Sequence, residues 1–191
     1  MNNSIDWNEL FKKYYLDGVN PDDDRLKKGI VFIDDVIDMD SSYVTELMWC
    51  EGKGISPIKI FISSPGGSVF TGLDIFDTIK NLKSETITIG SGQVASMAGI
   101  LLQAGKKRLV TKNCWLMIHE VSSIAMGKSS DIQDEAKLVT RLQEQLLDIL
   151  SERSKLTKTE IKRKWKRKDW WLSSDEILDL GLADGLYKGQ E

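Results

Sequence analysis

The chain has 191 residues, 41% of them apolar and 29% charged, and carries a formal net charge of −3. That length fits one domain, or one domain with an extension, and is enough to bury a real core. The slightly acidic balance gives no electrostatic footprint for nucleic acid or for an anionic membrane.

Two cysteines, Cys50 and Cys114, do not make a disulfide framework. They lack metal-ligand spacing, and a single histidine does not complete a zinc set with them. Both are expected to be buried thiols of a reducing compartment. The opening Met-Asn-Asn-Ser-Ile-Asp has no basic segment leading into an apolar one, so no signal peptide is expected. The most apolar stretch, residues 94–102, is far shorter than the roughly 20 residues a membrane-spanning helix requires. A cytoplasmic protein is the expectation.

Along the chain, residues 6–16 place Trp7, Leu10, Phe11 and Tyr14 on a stripe at helical spacing. Residues 18–24 follow as a loop, with Pro21 and three consecutive aspartates. From there strands and helices alternate. Residues 29–33 predict a strand, 41–50 a helix, and 58–62 a strand with alternating faces. Ser63-Ser64-Pro65-Gly66-Gly67 forms a turn. A helix then carries Val69, Leu73, Phe76 and Ile79 on one face. Residues 85–89 predict a strand broken by Gly90-Ser91-Gly92, and residues 95–103 a short apolar helix. Residues 107–110 and 114–118 predict two more strands. A capping pattern at Ser130 and Gln133 opens a long amphipathic helix with Ile132, Ala136, Val139, Leu142, Leu146 and Ile149. Thr157…Glu160 and Ser173…Glu176 open two shorter helices. This rhythm predicts an α/β domain.

Three segments carry groups suited to chemistry. In Gly92-Gln93-Val94-Ala95-Ser96-Met97-Ala98-Gly99, a serine lies between a strand and a helix start, where free backbone N–H groups meet developing negative charge. A serine there also suits a helix cap, and the glycines of a Gly-x-Ser-x-Gly elbow are replaced by Val94 and Ala98. His119 ends the strand at 114–118. It is the only histidine, so any serine activated by a histidine must use it. The paired glycines Gly66 and Gly67 permit positive φ and close approach of a substrate backbone, or simply a turn. The basic block 162–168, interrupted by Trp165, reads as a solvated helix face rather than a nucleic-acid site.

Together these segments resemble the ClpP family of ATP-dependent serine peptidases, from about Arg25 to Leu186. Ser64-Pro65-Gly66-Gly67 is similar to the family's Ser-Pro-Gly-Gly turn, Gly92 to Met97 to its nucleophile segment, and Met117-Ile118-His119 to its Met-Ile-His. Asp169-Trp170-Trp171-Leu172-Ser173 matches the segment that begins with the family's catalytic aspartate. The resemblance implies a ClpP/crotonase-like α/β spiral with a projecting handle helix, in a peptidase domain at 25–191 after an N-terminal extension at 1–24. It implies Ser96 as nucleophile, His119 as general base and Asp169 as its orienting acid, with the backbone N–H groups of Gly67 and Met97 as oxyanion donors. It implies acyl-enzyme cleavage of peptides and unfolded polypeptides, with no metal and no organic cofactor. It also implies a homo-oligomer of paired heptameric rings and an AAA+ ATPase unfoldase as partner, since the chain has no Gly-x-x-x-x-Gly-Lys-[Ser/Thr] phosphate loop of its own.

The chain departs from the family at three places. Glu120-Val121 stands where the family has Gln-Pro. Arg167 and Lys168 stand where it has an acidic-Arg pair that helps join two rings. Upstream of Arg25 there is no good match to the segment that forms the axial gate and contacts the ATPase. Other proteins share the fold: a stand-alone viral or prophage head-maturation protease, a non-catalytic ring subunit, and a crotonase-type enzyme binding an acyl-CoA. A Ser-His-Asp set disfavours the last two.

Overall fold

A computed structural model describes residues 23–39 and 41–189. The helix expected at 6–16, and most of the loop after it, lie outside the described residues. The elements in chain order are α1 (Asp24–Lys27), β1 (Ile30–Ile33), α2 (Tyr43–Gly52), β2 (Ile58–Ser64), α3 (Val69–Asn81), β3 (Thr86–Ala95) and α4 (Met97–Leu102). They continue as β4 (Lys107–Val110), β5 (Trp115–Ile118), α5 (Ser129–Glu152), α6 (Lys158–Trp165), β6 (Trp170–Ser173), α7 (Ser174–Asp179) and β7 (Gly185–Leu186).

Five strands form a parallel path in the order β1-β2-β3-β4-β7, and β5 joins it through β3. Parallel strands need crossovers, and here α2, α3 and α4 supply them. Burial alternates along β1 and β2, as on a sheet with one face in the core, and Phe32 is left 41% exposed between Val31 and Ile33. Val31, Ile33, Ile58, Ile60, Ile62 and Ile89 are wholly buried.

β3 decides the architecture. Its first half pairs with β4 through Ile87↔Lys107 to Gly90↔Val110, and its second half pairs with β5 through Gln93↔Trp115 to Ala95↔Met117. The strand expected to stop at residue 89 therefore runs on to Ala95. Gly90-Ser91-Gly92 changes its direction without ending it, with Gly92 at φ +56°. The switch of partner turns one sheet into a two-part, spiralling one. β6, which the sequence reading missed, pairs antiparallel with β5.

Helix α5 is long, 24 residues or about 36 Å at 1.5 Å per residue. Its C-terminal half is anchored by Leu146, Leu147 and Leu150 in the core, while its N-terminal turns stand exposed. The cap, at Lys128, is two positions earlier than the sequence pattern predicts. Asp131, rather than Gln133, closes it, its carboxylate accepting the Lys128 N–H at 3.1 Å. Ion pairs Lys162–Glu144 and Lys158–Asp148 clasp α6 to α5. The capping boxes expected at Thr157…Glu160 and Ser173…Glu176 are both formed.

Candidate active site

Ser96 sits at the corner between β3 and α4. Its backbone adopts φ 54°, ψ −121°, a conformation that a residue with a side chain rarely takes and that costs on the order of 1–3 kcal/mol. Two contacts impose it. The Ser96 N–H donates to the carbonyl of Met117 at 2.9 Å, continuing the β3–β5 pairing one step past Ala95. On the other side Gly66 presses on the corner: a Cβ added to it would lie 2.6 Å from the Ala95 carbonyl and 2.8 Å from Ser96 Cβ. The Ser96 side chain makes no capping hydrogen bond to α4, so the helix-cap reading of this serine does not hold.

Its hydroxyl meets a histidine instead. His119 Nε2 lies 2.7 Å from Ser96 Oγ. The same register that ties Ser96 to Met117 brings His119, two residues on, around the end of β5 to face the hydroxyl. Asp169 immediately precedes β6, with Oδ1 at 3.8 Å from His119 Nδ1. That is ion-pair distance, longer than a hydrogen bond. The Asp169 side chain is 58% exposed and that of His119 28%, so the serine–histidine pair is the better sheltered part of the set.

The turn at Ser64-Pro65-Gly66-Gly67 is built by a buried hydroxyl. Ser64 Oγ donates to the Asp35 carbonyl at 2.6 Å and accepts the Gly66 N–H at 3.1 Å. Ile37 then brackets the turn, its N–H donating to Gly66 O at 2.9 Å and its carbonyl accepting from Ser68 N–H at 2.7 Å. Gly67, at φ +152°, lies so close to the Ile37 backbone that no side chain fits there. The result sets Gly67 beside Ser96.

A small pocket of about 60 Å³ opens at this point, lined by Gly67, Ser96, Met97 and His119 together with apolar walls that include Ile100, Val121, Leu146, Leu150 and Trp165. All five residues expected at the site are therefore brought to one place, four around the pocket and Asp169 behind the histidine. The walls were not anticipated. Trp165, hidden in the basic block, is 2% exposed and faces inward. Its spacing of four from buried Ile161 was the available signal, one apolar stripe on a helix whose Lys162, Arg163 and Lys164 face solvent.

Among the described residues no group of histidine, cysteine and acidic side chains is arranged to hold a metal ion, and no helix is long and apolar enough to cross a membrane. Cys50 and Cys114 are free and buried. Burial pushes the Cys50 thiol up to about 11, with the Glu46 carboxylate adding to it, and the Cys114 thiol up to about 12.

A hydroxyl on a strained strand-to-helix corner, hydrogen-bonded to an imidazole that faces a carboxylate, over a spiral parallel sheet, is the arrangement of a serine hydrolase. Residues 20–190 match the family described as Clp protease, and the chain belongs to that family. It is 36% identical over 168 residues to the ATP-dependent Clp protease proteolytic subunit of Carsonella ruddii (strain PV), covering 85% of this chain and 86% of that one. It is 38% identical over 148 residues to proteolytic subunit 2 of Prochlorococcus marinus (strain NATL2A), covering 75% and 74%. It is 34% identical over 164 residues to the proteolytic subunit of Deinococcus radiodurans, covering 83% and 80%. The chain is thus a ClpP-type serine endopeptidase, as its motifs led one to expect.

Proposed function

We propose that Ser96, His119 and Asp169 are the triad of this peptidase and that it works as an assembled chamber. The observation that carries the first statement is the 2.7 Å contact of Ser96 Oγ with His119 Nε2 at a strained corner. In this reading Ser96 Oγ attacks the scissile carbonyl while His119 Nε2 takes its proton. The oxygen that becomes negative is met by the N–H groups of Gly67 and Met97. His119 then returns the proton to the leaving amine, and a water activated by the same nitrogen releases the acyl group from Ser96. Asp169 holds the Nδ1–H tautomer and stabilises the imidazolium, for which it approaches by about 1 Å from its present position; such bonds commonly tighten only when substrate binds. The 60 Å³ apolar pocket beside Ser96 takes a substrate side chain.

Assembly rests on a different observation. Met39, Ile124 and Met126 are 88–90% exposed and Phe70 63%, large apolar side chains that neighbouring subunits would cover. Paired heptameric rings fit the family and the projecting α5. Arg167 and Lys168 would then meet acidic groups of the facing ring's α5, such as Asp131, Asp134 or Glu135. The relatives named above are ATP-dependent, and a separate AAA+ ATPase is the partner this implies for the domain at 25–191.

A serine-directed fluorophosphonate tests the site. Peptide mapping is expected to find one adduct, on Ser96, in the assembled protein. An adduct elsewhere, or none while peptide hydrolysis continues, overturns the assignment.

A further inference from the structure

The two departures of this chain from the family's motifs at Glu120 and Arg167 meet in one hydrogen bond. Glu120 Oε2 accepts the backbone N–H of Arg167 at 3.2 Å. The bond lies where the β5–β6 ladder gives out. That ladder runs from Trp115↔Ser173 to Ile118↔Trp170. One step further along the same register come His119 and Asp169, the first pair beyond it, and Glu120 with Arg167 closes the far side of that pair. The histidine and its carboxylate are thus bracketed, with the sheet on one side and a single side chain on the other.

The backbone that Glu120 holds is strained. Lys166 has φ −53°, ψ 111°, Arg167 has φ +58°, and the Lys168 N–H donates to the Trp165 carbonyl at 3.0 Å. These are the angles and the closing bond of a type II turn over Trp165–Lys168, whose third position prefers glycine or asparagine. Here an arginine occupies it. In such a turn the N–H of the third residue is not used by the turn itself, and it is this N–H that Glu120 accepts. Glu120 is in turn fixed from both sides: β5 ends two residues before it, and the Val121 N–H donates to Gln143 Oε1 of α5 at 3.2 Å. The acceptor is therefore preorganised and the strained turn leans on it. Asp169 stands two residues beyond Arg167 and has no ladder bond of its own to set its distance from His119.

Resting on the triad reading above, we infer that Glu120 is a positioning residue. Its carboxylate clamps the turn at Arg167 and so sets Asp169 against His119. An acid at 167 would bring a second negative charge to the backbone that the Glu120 carboxylate holds, which an arginine avoids.

The test is steady-state hydrolysis of a fluorogenic peptide by the assembled protein, with Ser96→Ala as baseline. Glu120→Ala is expected to lower kcat by about tenfold to a hundredfold with KM nearly unchanged, since misplacing a catalytic group by about 1 Å has effects of that order. Glu120→Asp, which keeps the charge but shortens the reach, is expected to lose kcat as well, whereas Glu120→Gln keeps an acceptor and retains most of it. Arg167→Gly placed in the Glu120→Ala background removes the strain and is expected to recover part of the loss. The single imidazole of the chain gives a direct signature: its far-downfield N–H proton signal is expected in the wild type and in Glu120→Gln, and weakened in Glu120→Ala. Wild-type kcat in both Glu120→Ala and Glu120→Asp, or a loss that neither Glu120→Gln nor Arg167→Gly relieves, overturns the inference. Turnover by Ser96→Ala overturns the triad reading instead, whatever the Glu120 variants do.

Discussion

Gly66 and Ser96 are packed back to back: the space for a Cβ on Gly66 is already filled by the Ala95 carbonyl, Ser96 Cβ and the Met97 nitrogen, all within 2.9 Å. Gly66 also sits at φ +95°, where side chains are strained. Gly66→Ala is therefore expected to displace the serine corner. Peptide hydrolysis should fall by about a hundredfold or more, while circular dichroism and assembly change little. An alanine variant with wild-type turnover would mean that the corner does not depend on this contact.

Ser96→Ala and His119→Ala are each expected to remove nearly all peptide hydrolysis, and the double variant to be no worse than either. Groups that act as one unit lose their effect together. Losses that multiply in the double variant would show two independent contributions.

Cys50 and Cys114 are expected to resist an aromatic disulfide reagent at pH 8 until the protein unfolds. Their thiols are pushed up to about 11 and about 12 by burial, above the ordinary cysteine range near 8.5. The native state thus keeps protons that the unfolded chain releases. Their contribution to stability is complete below about pH 8.5 and is lost as pH rises toward 11–12. Denaturant midpoints measured from pH 8 to 11 check this; a Cys50→Ala/Cys114→Ala variant should show a smaller decline.

Asp184 ties β4 to the segment before β7. It accepts the Arg108 backbone N–H at 2.8 Å and three guanidinium contacts, with Arg153 3.5 Å away. Burial pulls its carboxyl up, but the hydrogen bonds and charge of Arg108 outweigh burial and hold it below the ordinary range. Arg108 is only 4% exposed, so Asp184→Ala strands a buried cation. The cost expected is at the lower end of the about 3–5 kcal/mol typical of breaking a buried pair, because Asp184 is partly exposed. The wild-type advantage should be full above about pH 4 and fade as pH falls through the lowered Asp184 range. Urea unfolding of both forms at pH 7 and pH 3 measures it.

Light scattering is expected to give a mass many times the 21.6 kDa of one chain. Lys168→Glu is expected to shift sedimentation toward single rings. A monomer at every concentration would refute assembly, and unchanged sedimentation of the variant would show that the basic block takes no part in ring pairing.

The sequence revealed the residues more readily than the geometry that uses them. Ser96, His119 and Asp169 stood out because their segments have recognisable neighbours. The corner at Ser96 did not, since a serine at φ 54° is imposed by Met117 and Gly66, which lie far from it in sequence. Likewise Gly90-Ser91-Gly92 has the composition of a chain break. It became a bend because Gln93 to Ala95 found new partners in β5. β6 was concealed by its own brevity and by the capping box that follows at Ser173. Trp165 was obscured by the charges on either side of it.

Helix α5 has a gradient of support along its length, from exposed Ser129 to wholly buried Leu147. An isolated helix gains little from propensity alone, so the outer turns of α5 are weakly protected helical backbone in a lone subunit. Their amide protons should exchange early, and neighbouring chains should slow them. Exchange in this one helix would then serve as a meter of association, readable at concentrations too low to weigh the particle. Loosening of its tip would be the first local event of disassembly, before any loss of the core beneath it.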